Sequence, residues 1–223
     1  MTKMRYRGVL FDMDGVILDT EPHFAEAFVE AAAKRGYPDT EELHLNIMGI
    51  SQAESLIYCK KQMGQDFPYT EIAEETFRIV RRQVMDGRVP YKKGWLECVN
   101  GLKERQIKIA LVTSTPREVV EEYFQYRPEL QSAFDAILCG GEVAHSKPAP
   151  DMYLEAARRL GIPPGECVGV EDSGAGVHSV SSAGCLSVMI PDLLSYDEKV
   201  AGAVDVCLYD LTRLCPLLDK LNQ

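Results

Sequence analysis

The chain has 223 residues, 46% of them apolar and 26% charged, with a formal charge of −10. That length suits one sizeable core, or a core with a small second domain, and the composition is that of a soluble globular protein. The excess of acid argues against a nucleic-acid partner, because a phosphate backbone repels such a surface. The one basic cluster, Arg78-Ile79-Val80-Arg81-Arg82, follows glutamates at helical spacing and reads as a solvated helix face. No apolar run approaches the length of a membrane span, and the basic residues near the start lead into a strand motif rather than a secretory core. A cytoplasmic protein without membrane association or an obligate protein partner is expected. Seven scattered cysteines without a Cys-x-x-Cys read as reduced, mostly buried thiols, and the four histidines lack metal-ligand spacing.

The first patterned stretch is Val9-Leu10-Phe11-Asp12-Met13-Asp14-Gly15-Val16. Its apolar residues predict a buried strand. Asp12 and Asp14 leave it on one side because side chains alternate, and Gly15 permits a tight turn. Two carboxylates this close repel unless a cation lies between them or one keeps its proton. Taken alone, the pair reads better as a strand end with an Asx turn. Thr20 and Pro22 then open a helix, Thr20 as its cap, which runs to about residue 35 and stops at Gly36. Helical patterns continue over Glu41–Ile47, 51–63 and Tyr69–Met85, and no strand pattern appears between about 20 and 89. An all-helical block after the first strand of an α/β chain predicts an inserted domain.

From Lys93 onward, helical patterns (95–106, Arg117–Tyr126, Asp151–Leu160, 175–183) alternate with short apolar runs (108–113, 134–139, 167–170, 186–190, 204–208). This rhythm predicts a parallel sheet covered on both faces, with ligands bound beyond the carboxyl ends of its strands. Four polar stations fall at or just past those ends: Asp12/Asp14, Thr113-Ser114, Lys147 and Glu171-Asp172. Each alone has a bland explanation as a cap, turn or surface residue. Together they supply a nucleophile, a hydroxyl, a cation and a carboxylate pair.

Phe11-Asp12-Met13-Asp14-Gly15-Val16 resembles the first motif of the haloacid dehalogenase superfamily of phosphotransferases, and the other stations resemble its later motifs in order and spacing. The resemblance implies a doubly wound, Rossmann-like core of residues 1–18 and 92–223, with a helical cap of 19–91 hinged near 16–20 and 89–94. On this reading Asp12 attacks phosphorus to form an acyl phosphate, and Asp14 exchanges protons with the leaving and entering oxygens. Thr113 donates its hydroxyl to the phosphoryl group, with the amides of Ser114 and Thr115 at the start of the next helix adding donors. Lys147 lies in Ser146-Lys147-Pro148-Ala149-Pro150, whose two prolines fix the backbone and hold it, and it offsets negative charge. Asp12, the Asp14 backbone carbonyl, Glu171 and Asp172 form a hard oxygen site for Mg²⁺.

Val170-Glu171-Asp172-Ser173 and the helical insert resemble the branch holding β-phosphoglucomutase and small sugar-phosphate phosphatases. Substrate contacts are expected on the cap at His23, Ser51 and Gln52, with Arg78 or Arg82 as further candidates. In β-phosphoglucomutases the loop resembling Met48-Gly49-Ile50-Ser51-Gln52 ends in arginine; Gln52 cannot make its bidentate ionic clamp. The family's cap histidine falls on Phe24, with His23 one residue away and so turned about 100° around a helix. Thr20-Glu21-Pro22 looks like the opening found in phosphatases of this branch. These features imply an Mg²⁺-dependent phosphatase acting on a small phosphomonoester, a sugar phosphate, through an aspartyl phosphate. A β-phosphoglucomutase-type mutase is the alternative, and a non-catalytic binding protein a further one.

Overall fold

Gly8–Phe11, buried at every residue, forms the strand β1 at the centre of the sheet. The computed structural model describes residues 5–48, 52–192 and 198–223. The remaining strands are β2 (Lys108–Pro116), β3 (Ala136–Gly140), β4 (Cys167–Glu171), β5 (Leu186–Met189) and β6 (Val206–Cys207). All pair in parallel in the order β3-β2-β1-β4-β5-β6. The helices are α1 (Glu21–Ala33), α2 (Glu41–Ile47), α3 (Gln52–Met63), α4 (Tyr69–Met85), α5 (Trp95–Glu104) and α6 (Arg117–Tyr126). They continue with α7 (Pro128–Gln131), α8 (Asp151–Leu160), α9 (Gly174–Ser182), α10 (Glu198–Ala201) and α11 (Leu214–Leu221).

Side-chain alternation covers the sheet on both faces. Leu10, Ala110, Val112 and Leu138 share one core with Tyr153, Ala156 and Leu160 of α8 and Val180 of α9. Phe11, the next residue along β1, points the other way and meets Trp95 of α5 edge-on, with ring centroids 5.3 Å apart. A parallel sheet needs such cover, and its order reverses direction beside β1, as in doubly wound folds.

The chain divides into two compact units, Met1–Asp19 with Pro90–Gln223, and Thr20–Val89. The second is wholly helical among the described residues and is built on its own core of Phe28, Ala31, Leu43, Ile47, Cys59, Phe67 and Ile72. In the first unit the two chain passages run side by side: Asp19 N donates to Pro90 O at 3.0 Å and Lys92 N to Ile17 O at 2.8 Å. Among the described residues no helix is long and apolar enough to cross a membrane.

Four local features depart from the sequence reading. Thr20 makes no side-chain cap, because its backbone is already helical (φ −83°, ψ −26°). Ser173, with extended backbone (φ −104°, ψ 153°), does cap α9, its hydroxyl accepting from Gly176 N at 3.1 Å. β2 runs on to Pro116, which pairs with Gly140 after a register shift beyond Val112. α11 was not anticipated; its Pro216 lies in the first turn, where no helical amide bond is lost.

Candidate active site

The register of the sheet brings the stations together. Phe11 lies opposite Leu111 and Val170, so Asp12 follows at the carboxyl ends of three adjacent strands, level with Val112 and Glu171. Asp12 N continues the ladder by donating to Val170 O at 3.0 Å. Beyond it the chain folds back through Gly15, whose φ of 75° suits a residue without Cβ, and Gly15 N donates to Leu18 O at 2.9 Å.

Lys147, on the loop between β3 and α8, reaches into this end of the sheet. Its Nζ forms an ion pair with Asp12 Oδ1, another with Glu171 Oε1 at 2.6 Å, and donates to Val112 O at 3.0 Å. Burial opposes its charge, but Asp12 and Glu171 hold its pKa above the ordinary value. Burial also pushes the Asp12 carboxyl up to about 8 against the pull of Lys147, with Glu171 and Asp14 adding to the rise.

Thr113 is buried, and its Oγ1 accepts from Thr115 N at 3.1 Å, which leaves the hydroxyl proton to donate elsewhere. Ser114 and Thr115 do not open a helix; they lie in the extended end of β2, because the strand continues through the irregular pairing with β3. The Thr115 amide is taken by Thr113, and its hydroxyl donates to Asp14 Oδ2 at 3.0 Å. Thr115 thus orients Asp14, a contact the sequence reading missed.

Asp12, Glu171 and Asp172 each offer an oxygen within 4.8 Å of the others. The Asp14 carboxylate is outside that group; its backbone carbonyl is the part assigned to a metal from sequence. Three clustered carboxylates, two of them paired with the one ammonium, are net negative, all donors are oxygen, and burial disfavours the charged form of Asp12. This donor set fits a hard divalent cation. Glu171 is also held in a cradle: a Cβ at Gly176 would stand 2.0 Å from its carboxyl group. Tyr153, fully buried on α8, donates to Glu171 Oε1 at 2.5 Å. Burial, then the Glu171 and Asp12 charges, raise its phenol well above the ordinary value, so it serves as a fixed donor. The inward spacing of Met152, Tyr153, Ala156, Ala157 and Leu160 was the available signal, since a buried tyrosine needs a partner.

The remaining predicted residues belong to the helical unit. His23 Nδ1 lies 2.9 Å from Gln83 Oε1. Gln52 is exposed at the first position of α3, and Ser51 falls outside the described residues. Arg78 pairs with Glu75, and Arg82 lies 3.7 Å from Asp86, both largely exposed, as on a solvated helix face.

Residues 9–190 match the model of the haloacid dehalogenase-like hydrolase family. The chain belongs to that family. Among its relatives, a phosphorylated carbohydrates phosphatase from Thermotoga maritima is 35% identical over 176 residues, covering 79% of this chain and 81% of its own. The fructose-1-phosphate phosphatase YqaB from Escherichia coli is 32% identical over 183 residues, covering 81% and 94%. The solved structure of a β-phosphoglucomutase from Clostridium difficile aligns over 97% of each chain with a TM-score of 0.73 at 23% identity, a likeness of fold alone. The resemblance drawn from the four motifs therefore holds, and the chain is a haloacid dehalogenase-like hydrolase with a Rossmann-like α/β core.

Proposed function

We propose that this haloacid dehalogenase-like hydrolase is an Mg²⁺-dependent phosphatase that releases phosphate from a small phosphorylated carbohydrate. The observation that carries this reading is Lys147, buried and bridging Asp12 and Glu171 at the carboxyl ends of the central strands. It holds the nucleophile and the carboxylate cluster in one constellation. The names of the two phosphatase relatives support a carbohydrate phosphate as the substrate class.

Asp12, fixed by its backbone ladder and by Lys147, presents its second oxygen to phosphorus and becomes an aspartyl phosphate. Asp14, steadied by the Thr115 hydroxyl, protonates the departing oxygen and later takes a proton from the attacking water. The Thr113 hydroxyl and the Lys147 ammonium stabilise charge on the transferring group. Asp12, Glu171, Asp172 and the Asp14 carbonyl are the residues proposed to hold Mg²⁺. When bound, it supplies positive charge to the phosphoryl oxygens. The unit of Thr20–Val89 is proposed to act as a cap, with His23, Ser51 and Gln52 selecting the substrate.

The test is phosphate release from a panel of sugar phosphates, with Mg²⁺ and with EDTA, together with β-glucose 1-phosphate plus its bisphosphate. Release that EDTA abolishes is expected, with no need for the bisphosphate, because Gln52 offers no charge-assisted grip to a second phosphate. Rapid glucose 6-phosphate formation with negligible phosphate release would overturn the phosphatase reading in favour of the mutase.

A further inference from the structure

None of the seven cysteines is disulfide-bonded; five are buried, Cys207 is exposed and Cys215 is half-buried. Two of them meet across elements far apart in sequence. Cys215 Sγ on α11 donates to the carbonyl oxygen of Cys98 on α5 at 3.7 Å, and Cys98 shares a face of α5 with Gly101, three residues on, against which Cys215 packs. Gly101 makes the approach possible: a Cβ there would stand 2.9 Å from Cys215 Sγ. Arg105 then ties the two helices together beside the sulfurs. Its Nη1 donates to Gly101 O at 2.8 Å, while Nε and Nη2 grip the Asp219 carboxylate at 2.7 Å each.

We propose that Cys98 and Cys215 form a redox modification site that closes to an intramolecular disulfide on reaction with a hydroperoxide. A half-exposed thiol beside a guanidinium, with a buried cysteine behind it on the facing helix, is the arrangement of an attacking and a resolving cysteine. Cys215 is the attacking partner, because it is the more exposed and faces Arg105. The neighbouring Cys98 thiol, assisted by the Arg105 charge, draws the Cys215 thiol below its ordinary value against burial and the Asp219 and Glu104 charges. Burial instead pushes Cys59 and Cys139 up to about 11, Cys167 and Cys185 up to about 12, and Cys207 upward as well.

The chemistry balances in two steps. The Cys215 thiolate attacks one peroxide oxygen, the O–O bond breaks, and the departing alkoxide or hydroxide takes up a proton; Cys215 becomes a sulfenic acid. The Cys98 sulfur then attacks the Cys215 sulfur, the S–O bond breaks, and hydroxide leaves as water with the Cys98 proton. Two thiols have lost two electrons and two protons, and the hydroperoxide has become an alcohol, or water, and water. A dithiol reductant reverses the bond by exchange. The link joins residues 117 apart, so it restricts the unfolded chain over much of the α/β unit and raises its resistance to unfolding.

The test uses the reduced full chain, treated with equimolar hydrogen peroxide at neutral pH, then denatured, alkylated and mapped by mass spectrometry. The expected result is loss of two alkylatable thiols, one cross-linked peptide pair containing Cys98 and Cys215, and a Tm that rises and falls back with dithiothreitol. Cys98→Ser should trap a sulfenic acid at Cys215 that dimedone captures, and Cys215→Ser should leave Cys98 unreacted at the same dose. Oxidation concentrated at Cys207, sulfinic or sulfonic acid at Cys215 without a cross-link, or a disulfide between two chains would each overturn the proposal.

Discussion

The Tyr153 hydroxyl and the Lys147 ammonium converge on one oxygen, Glu171 Oε1, at 2.5 and 2.6 Å. Two donors on one oxygen fix the carboxylate plane and leave Oε2 with a longer contact, 3.4 Å from Ser173 Oγ. Tyr153 is thus a positioning residue for the proposed metal site. Tyr153→Phe keeps the ring in its core but removes the hydrogen bond to a charged group, a loss of about 1.5–3 kcal/mol in stability. The Mg²⁺ concentration for half-maximal activity should rise several-fold, since one of the two donors that fix Glu171 Oε1 is gone. Urea denaturation and a metal titration check the two effects; an unchanged titration would remove Tyr153 from the site.

Gly176 should be intolerant of even one methyl group. A Cβ there would stand 2.0 Å from Glu171 Oε2 and 2.4 Å from Oε1, closer than any real contact. Because Glu171 is buried, the carboxylate must move, and the cluster of Asp12, Glu171 and Asp172 opens. Gly176→Ala is expected to lose most activity and bind Mg²⁺ more weakly by calorimetry, while far-UV circular dichroism stays unchanged. Wild-type metal affinity in the variant would mean that Glu171 is not a ligand.

Asp12→Asn removes the attacking charge at nearly constant volume. Turnover should fall by about four orders of magnitude or more, as losses of catalytic nucleophiles do. The fold should survive, because Lys147 keeps Glu171 and Val112 O as partners and a buried carboxyl is replaced by a neutral amide. Near-wild-type phosphate release from a purified, folded variant would end the aspartyl-phosphate reading.

The charged residues at or past the ends of apolar runs were legible in the sequence because Asp12, Lys147 and Glu171, each explicable alone as a cap, turn or surface residue, together supply a nucleophile, a cation and a carboxylate. Helices with strong apolar spacing, such as Tyr69–Met85 and Asp151–Leu160, were legible with their boundaries. The extension of β2 was not, since Ser114-Thr115-Pro116 has the composition of a turn and only the pairing of Pro116 with Gly140 draws it into the sheet. Contacts between residues distant in sequence were equally hidden. Thr115 with Asp14, Tyr153 with Glu171 and Cys98 with Cys215 depend on how helices and strands meet, which local pattern does not encode.

The helical unit carries its own pH sensitivity in His44. The ring is buried on α2 and tilted against Phe28, centroids 5.0 Å apart, and neither nitrogen has a hydrogen-bond partner among the described residues. Burial alone lowers its pKa from 6.5 to about 4. Above pH 6.5 the imidazole is neutral in both the folded and unfolded chain. As the pH falls below that value the unfolded chain takes up the proton first, so stability declines until the folded ring also titrates near 4. The full shift corresponds to about 3 kcal/mol, of which about 2 kcal/mol is lost between about pH 7 and pH 5. His44→Phe fills the same space without a titrating group. Urea denaturation followed by circular dichroism, at about pH 7 and about pH 5, should show a smaller loss of stability in the variant than in the wild type. Equal losses would show that the His44 ring is not held neutral by burial and that other groups carry the acid sensitivity.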